Sequence, residues 1–413
     1  MAELSPIHGG RRAAEQRLAA IDPARYGRSR NQLDGAVTRL SPYIRHGVLS
    51  LAEVRDAVFV WLDHSGQPPE AAAKLINELG WRDYWQRLWR ALGDGIWENL
   101  EPLKTGHPPE SYAPQLPEDI RRGQTGLACI DAFSGALTGT GWLHNHARMW
   151  LAAYVVHWRR VQWQAGARWF LQHLLDGDPA SNNLSWQWVA SSFSTKPYIF
   201  NRANLERYSN GVHCRACSAA AAGRCAFEAS YEQLQAQLFA EAVVGPPAQG
   251  PTGAAEPQPT SPPPAQPFAR PVLWIHGEAL GPSNPALRAH PGRPALFVFD
   301  TALIQGDPPL SQKRLAFLRE CLQELPVRVA QGDVAAEVLA FAREHGADGI
   351  VTSAAVDPRF ETIRRRLAAA LPVQVLAPEP FVVLEGPVDL GRFSRYWRRA
   401  ERAVWGLRRP QSP

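Results

Sequence analysis

Hydrophobic spacing divides this chain into a helical first part and an alternating second part. Before residue 242, apolar side chains recur three and four positions apart, most clearly through 71–92 and 141–175, which predicts amphipathic helices. From residue 272 onward, short apolar runs alternate with amphipathic segments. This alternation predicts strands at 272–276, 295–300, 327–330, 349–353 and 373–376, and helices at 312–324, 335–345 and 360–371.

The two patterns predict an α plus α/β protein with two domains. Residues 1–242 form the predicted helical domain, and residues 271–390 form a doubly wound, Rossmann-like α/β domain with a parallel sheet. Between them, residues 243–270 are rich in proline, glycine and alanine, which is typical of an extended linker. The second domain has no GxGxxG sequence, so ordinary dinucleotide binding is not expected there.

Composition and charge predict the location of the protein and reveal a basic tail. The 413 residues are 45% hydrophobic and include 15 tryptophans, most of them before residue 189. No apolar run is long enough to cross a bilayer and no secretory signal is present, so we expect a cytoplasmic protein without a membrane partner. The net charge is +5, and residues 391–413 hold seven arginines against one glutamate. Such a tail can contact phosphates or be simply solvated.

The most informative stretch is LDGDPASNNLSWQW, from Leu175 to Trp188. Asp-Gly-Asp and Ser-Asn-Asn favour turns and helix caps, and tryptophan-rich segments lie on both sides. A buried polar group without a partner costs about 1–3 kcal/mol, so several of them in aromatic surroundings predict a polar ligand. The alternative is a capped helix start that packs core tryptophans and binds nothing.

Three of the five cysteines lie close together after this stretch. Cys214-x-x-Cys217 followed by Cys225 has the spacing of metal or cluster ligands. Five cysteines in a cytosolic chain do not indicate a disulfide framework. Zinc, with or without His213, and no metal at all are the alternatives to an iron–sulfur cluster.

The stretch from Leu175 to Trp188 resembles the flavin site of the cryptochrome/photolyase family, whose pattern is D-G-D-x-A-x-N-x-x-x-W-Q-W. The matching residues are Asp176, Gly177, Asp178, Ala180, Asn182, Trp186, Gln187 and Trp188. The resemblance implies FAD as cofactor, with Asp176 and Asp178 at its ribityl chain and ring. It also implies Asn182 beside flavin N5, Trp186 as the nearest electron donor and Trp188 in the cavity over the adenine.

The segment VTRLSPY resembles the phosphate-binding helix start of the same family. Hydroxyl groups and backbone N–H groups at such a position bind phosphate well. The resemblance therefore places five residues at or near the flavin diphosphate: Tyr26, Thr38, Arg39, Leu40 and Ser41. A Ser/Thr helix cap with nothing bound would leave the same sequence signature.

Two later segments, NELGWRDYW and TGWLHNHARM, also resemble that family, and the resemblance implies contacts with cofactor and substrate. The residues concerned are Glu78, Trp81, Arg82, Asn145, Arg148 and Met149. Glu78 would contact flipped-out pyrimidines and Arg82 would lie near the flavin, although an ordinary i,i+4 ion pair also explains these two. The implied substrate cavity contains Trp81, Asn145, Met149 and Trp188.

The resemblance further implies an electron route to the flavin through tryptophans. The implied catalytic set is Trp186, Trp163, Asn182 and Glu78. No tryptophan stands at the family's outermost relay position, because residues 107–120 contain Tyr112 as their one aromatic. The route would then end at Tyr112 or leave through Trp158 or Trp169.

The cysteines resemble those of the iron–sulfur bacterial cryptochromes and photolyases. That resemblance implies a [4Fe-4S] cluster on Cys129, Cys214, Cys217 and Cys225. The second half of the chain resembles the family's antenna domain, which usually comes first, so the chain resembles a circularly permuted member. A folate, a deazaflavin, a lumazine or no antenna are all compatible with that domain.

The activity that these resemblances imply is blue-light repair of pyrimidine dimers. UV-damaged DNA, single- or double-stranded, would be the partner. The alternative function is a cryptochrome-like photoreceptor that does not repair DNA and acts through a signalling partner.

Overall fold

The computed structural model describes residues 5–240, 267–307 and 309–408. The first part is helical, as its periodicity predicts. Its α-helices are α1 (Arg11–Ala19), α2 (Pro23–Ser29), α3 (Ser41–Arg45), α4 (Leu51–Ser65), α5 (Glu70–Leu92), α6 (Glu118–Arg122), α7 (Ala128–Thr140), α8 (Asn145–Ala153), α9 (Trp163–His173), α10 (Pro179–Ala190), α11 (Arg202–Ser209), α12 (Ser218–Ala221) and α13 (Tyr231–Leu238). In the described part of the chain, none of the helices combines the length and apolar character that a membrane crossing requires.

The second part is a parallel sheet flanked by helices. The strands are β1 (Pro271–Ile275), β2 (Ala295–Asp300), β3 (Arg328–Gly332), β4 (Gly349–Ser353) and β5 (Val373–Leu376), in the order β3-β2-β1-β4-β5. The helices are α14 (Pro285–Ala289), α15 (Thr301–Ile304), α16 (Gln312–Leu322), α17 (Val334–Glu344), α18 (Pro358–Ala368) and α19 (Phe393–Gly406). The predicted α plus α/β fold class is confirmed, and each strand begins and ends within two residues of its predicted bounds.

One predicted helical run is interrupted. Residues 141–175 form α8, a π-helical turn at Tyr154–Trp158 and α9, not one continuous helix. Between them Arg160 has a φ of 46°, and Val161 pairs with Ala113 in an isolated parallel bridge. Apolar spacing could not reveal this break, because side chains on both sides of it enter the same hydrophobic core.

Contacts between distant segments join the two parts. Near the start of the chain, the Gly10 N–H donates to the Cys321 sulfur of α16 at 3.2 Å. Helix α19 returns to the helical part and packs on α5, where the Tyr396 hydroxyl donates to the buried Asp83 carboxylate. Most of the predicted linker 243–270 and the end of the predicted tail, 409–413, lie outside the described residues.

Candidate functional site

A polar cavity of about 320 Å³ opens between α2, α5, α8 and α10. The predicted site residues that line it are Tyr26, Thr38, Arg39, Ser41, Glu78, Trp81, Arg82, Asn145, Arg148, Met149, Asp176, Asp178, Asn182 and Trp186. Its lining contains four arginines and three carboxylates, so its net charge is positive. A cavity of this composition favours an anionic ligand.

The Asp178 carboxylate caps helix α10 and is 1% exposed. It accepts hydrogen bonds from the Ser181 backbone N–H at 2.9 Å, from the Ser181 hydroxyl at 2.6 Å and from the Gln86 amide at 2.8 Å. Arg82 and Arg45 lie 3.8 and 3.9 Å away. Burial by itself raises the pKa of Asp178, but the two arginine charges and the Ser181 hydrogen bonds outweigh it and lower the pKa. The carboxylate therefore stays ionised and fixes both arginines.

Arginines from both halves of the chain hold the loop that carries both acids. Asp176 forms an ion pair with Arg148 at 2.9 Å. The Gly177 carbonyl accepts hydrogen bonds from Arg314 at 2.8 Å and from Arg45 at 3.1 Å. A Cβ at position 177 would lie 2.4 Å from the Arg314 guanidinium, so a larger residue would have to displace that side chain. Sequence reasoning missed Arg314, because it lies on α16, 137 residues from the loop.

Glu78 has ion-pair partners other than the Arg82 that its spacing suggests. Its carboxylate lies 3.2 Å from Arg30 and 2.9 Å from Lys74, whereas Arg82 faces Asp178. Burial and the Glu78 charge raise the pKa of Tyr26 to about 12. The Tyr26 hydroxyl is therefore neutral, and it can donate a hydrogen bond to a ligand in the cavity.

Arg39 lies at the opposite wall in a strained conformation. Its φ is 52°, in the left-handed region, and its guanidinium lies 4.6 Å from the centroid of the Trp142 ring. Strain of this kind costs about 1–3 kcal/mol and clusters at functional sites. The neighbouring Leu40 side chain is buried and does not reach the cavity.

Trp186 forms the inner wall of the polar cavity. Its ring is 2% exposed and meets Phe170 edge to face at 4.9 Å. Its indole N–H has no hydrogen-bond partner among the described residues, so a bound ligand could satisfy it. Gly166 makes room for the ring, since a Cβ there would lie 2.2 Å from it. On the same helix, the Asn182 amide donates to the Ala167 carbonyl at 3.1 Å.

Trp163 is buried in the core and does not line the polar cavity. It stacks nearly parallel on Trp97, with ring centroids 6.5 Å apart and 9° between the planes. Trp97 is half-buried, and Arg168 lies 5.1 Å from its ring centroid. Sequence reasoning missed Trp97 because it precedes the segment in which an outer tryptophan is expected. Tyr112 is buried and shares a hydrogen bond of 2.7 Å with the Thr105 hydroxyl.

A larger, aromatic cavity of about 700 Å³ adjoins the polar cavity at Trp81 and Trp85. The aromatic residues that line it are Trp81, Tyr84, Trp85, Trp188, Phe193, Tyr198, Tyr231, Phe239 and Phe393. Trp188 lies here, 37% exposed, and is absent from the lining of the polar cavity. Asn145 and Met149 line only the polar cavity, so the four predicted substrate residues are divided between two cavities.

The four predicted ligand cysteines surround a small space of about 10 Å³. Burial and the other three thiols raise the pKa of Cys129, and burial with the Glu206 charge raises that of Cys214 to about 11. Among the described residues, no group of three or more His, Cys, Asp or Glu side chains is placed to hold a metal ion. The thiols are thus gathered together, but the described structure shows no metal site.

Comparison with known proteins finds similarity in the helical part. Residues 75–212 match the family described as the FAD binding domain of DNA photolyase. A deoxyribodipyrimidine photo-lyase from Streptomyces griseus is 35% identical over 157 residues, which are 38% of this chain and 32% of that protein. The photo-lyase of a Synechococcus strain is 32% identical over 219 residues, 48% of this chain and 43% of that protein. A cryptochrome structure from Synechocystis is similar with a TM-score of 0.46 and 25% identity, over 52% of this chain and 47% of that one.

The fold is a helical part, which contains the polar cavity, joined to a parallel α/β part. The matches support the photolyase/cryptochrome family for the helical part, and FAD as its cofactor. The matched segment contains Glu78, Asp176, Asp178 and Asn182. The chain spans less than half the length of these curated relatives.

Proposed function

We propose that this protein is a FAD-dependent DNA photolyase that repairs UV-induced pyrimidine dimers with blue light. The observation that carries the proposal is the polar cavity, in which residues from four separate sequence segments meet around a net positive space. The matching relatives are named deoxyribodipyrimidine photo-lyases, and this chain covers under half of each. UV-damaged DNA is accordingly the proposed partner.

The side chains of the polar cavity fit FAD. Arg39, with the Thr38 and Ser41 hydroxyls, would hold the diphosphate, and the ionised Asp176 and Asp178 would accept hydrogen bonds from the ribityl hydroxyls and the flavin ring. When bound, reduced FAD would supply the light-absorbing electron donor for dimer cleavage. The buried wall around Trp186 would keep water away from the ring. Extrusion of the damaged bases costs a few kcal/mol, least where stacking is already disturbed.

The proposed electron route runs from Trp97 through Trp163 to Trp186. The near-parallel contact of Trp97 and Trp163 supports it, because Trp97 supplies the outer ring that residues 107–120 lack. Trp97→Phe should slow light-driven reduction of the flavin in the presence of a thiol reductant several-fold. Trp274→Phe, in β1 of the α/β part, is the matched control. Equal rates for the wild type and Trp97→Phe would exclude this route.

A photoreceptor without repair is the second candidate function. One observation favours it: the ring of Phe393 stacks on Trp81 with centroids 3.7 Å apart and 11° between the planes. A base could not occupy that face of Trp81 at the same time. Under this proposal a signalling partner would respond to the state of the cofactor.

We also propose a [4Fe-4S] cluster on Cys129, Cys214, Cys217 and Cys225. The meeting of these thiols around one space supports it, and soft thiolate ligands select iron–sulfur clusters or zinc. Iron and sulfide analysis of anaerobically purified protein, with Cys129→Ser for comparison, tests this. Stoichiometric zinc would overturn it.

The order of the two parts supports a circular permutation. The α/β part would correspond to an antenna domain that has moved behind the helical part, and α19 would then restore a contact with α5. A folate, a deazaflavin, a lumazine and no antenna are the alternatives for this domain. Fluorescence of extracted chromophores would distinguish them.

The decisive experiment for the proposed function is an absorption spectrum before and after blue light, followed by addition of dimer-containing single-stranded DNA. Flavin bands with light-dependent recovery of intact thymine absorbance would establish repair. Flavin reduction without recovery would favour the photoreceptor. A protein without flavin bands would contradict both functions.

A further inference from the structure

The aromatic cavity has the composition of a site for nucleic-acid bases. Its volume of about 700 Å³ is typical of ligand sites, which span about 300–1,000 Å³. Aromatic rings give flat faces on which bases stack whatever their sequence. Lys196 is exposed at its edge and adds positive charge that suits a phosphate backbone.

Trp81, however, is covered by the chain's own aromatic side chains. The Phe393 ring lies 3.7 Å from it in a parallel stack, and Trp397 continues the stack at 5.6 Å and 13° from Phe393. Trp85 also packs on Trp81, with 5.0 Å between the ring centroids. The place of a base over Trp81 is therefore filled by a phenyl ring.

The backbone on both sides of Phe393 is fixed to helix α5. Before it, the Leu390 carbonyl accepts a hydrogen bond from the Tyr84 hydroxyl at 2.8 Å. After it, the Tyr396 hydroxyl donates to Asp83, and the Trp397 ring lies where a Cβ on Gly80 would be, 2.0 Å away. Helix α19 cannot slide without breaking these contacts, so the ring can leave Trp81 only by rotation about its own side-chain bonds.

We propose that Phe393 is a specificity-determining residue of the aromatic cavity. It takes the position of a base over Trp81 and leaves Trp188 as the accessible stacking surface. Trp188 is 37% exposed, and its ring lies 5.5 Å from that of Tyr198. A single base can stack on Trp188 alone, whereas two linked bases must first displace the Phe393 ring from Trp81. This inference rests on the proposed DNA substrate.

Binding in the dark tests the role of Phe393 without any light reaction. The probes are a labelled thymidine oligonucleotide with one cyclobutane dimer and its undamaged counterpart. Phe393→Ala should raise the affinity for the dimer about ten-fold, the size of one base–aromatic stack, with a smaller gain for undamaged DNA. Adding Trp81→Leu to this variant should abolish the gain. Phe393→Leu keeps more of the helix packing and should give a smaller gain in the same direction.

Trp405→Ala is the matched control, because Trp405 lies on the same helix but packs on Phe59, with ring centroids 5.6 Å apart. Unchanged affinity in both Phe393 variants, or a gain that survives Trp81→Leu, would overturn the specificity role. Light-driven repair by the wild type would still support a photolyase in that case. If the gain in affinity depends on Trp81 but no variant repairs the dimer, the specificity role stands and the repair function is contradicted. If no variant binds either oligonucleotide, both proposals fail.

Discussion

The polar cavity and the aromatic cavity share a wall at Trp81 and Trp85 but are built differently. In the polar cavity, buried charges are matched within the chain, as for Asp178 beside Arg82. In the aromatic cavity, rings pack on one another, and a phenyl ring covers the indole of Trp81. The polar cavity is therefore organised for a ligand before binding, whereas the aromatic cavity must exchange an internal contact for an external one.

Replacement of Asp178 should break the polar cavity most strongly. Asp178→Ala removes the cap of α10 and leaves Arg45 and Arg82 buried without their shared carboxylate. Loss of one partner from a buried pair costs about 3–5 kcal/mol, so we expect a drop of that size in the free energy of unfolding, together with loss of bound flavin. Urea unfolding and the flavin-to-protein absorbance ratio measure the two effects.

The matched control is Glu118→Ala, which breaks an ion pair with Arg122 on an exposed helix. Exposed pairs contribute about 0–1 kcal/mol, so this variant should keep both its stability and its flavin. A loss of only about 0–1 kcal/mol in Asp178→Ala as well would show that Asp178 acts as an ordinary surface charge.

His157 is buried and should make the protein sensitive to acid. Its Nε2 lies 3.0 Å from the Val189 carbonyl, its ring meets Phe239 edge to face at 5.2 Å, and burial lowers its pKa from 6.5 to about 4. The unfolded chain binds a proton near pH 6.5, whereas the folded chain does so only near pH 4. Stability should therefore fall by about 2–3 kcal/mol as the pH drops from 7 to 4.5, and the loss should level off below pH 4.

Urea unfolding of the wild type and His157→Gln at pH 7 and 4.5 checks this dependence. His144 and His173, whose pKa values also fall to about 4, should leave part of the slope in the variant. A slope identical to that of the wild type would contradict the role of His157.

A methyl group at Gly166 should disturb the polar cavity alone. Its Cβ would meet the Trp186 ring at 2.2 Å, and overpacking of this kind costs about 1–3 kcal/mol. Gly166→Ala should also weaken flavin retention while leaving oligonucleotide binding in the dark unchanged. The matched control is Gly135→Ala in α7, where no described residue lies within 4 Å of the new Cβ and helix propensity predicts a gain of about 0.5–1 kcal/mol. A gain in both variants would show that the Trp186 ring can move freely.

The sequence predicts local features such as strands and motif residues, but it does not reveal contacts between segments that are distant in the chain. The strands follow from apolar runs, and motif residues such as Asp176 and Asn182 meet in one cavity because each motif keeps its own spacing. The sequence does not single out three residues that matter in the structure: Arg314, Trp97 and Phe393. Each of them acts through a contact with a residue that is distant in the chain or lies outside the matched patterns. The break at Arg160 was also hidden, because it lies inside a continuous apolar pattern.

The contact between α19 and α5 has a consequence for folding during synthesis. Asp83 of α5 and Tyr396 of α19 are 313 residues apart, and the nearby pair of Asp63 on α4 and Arg408 after α19 is 345 apart. Helix α5 therefore emerges from the ribosome long before the residues that cover it. Until then Trp81, Tyr84 and Trp85 stay uncovered on that side, which makes the nascent helical part a natural client for chaperones. Contacts of such sequence separation also predict slow final docking of the two parts.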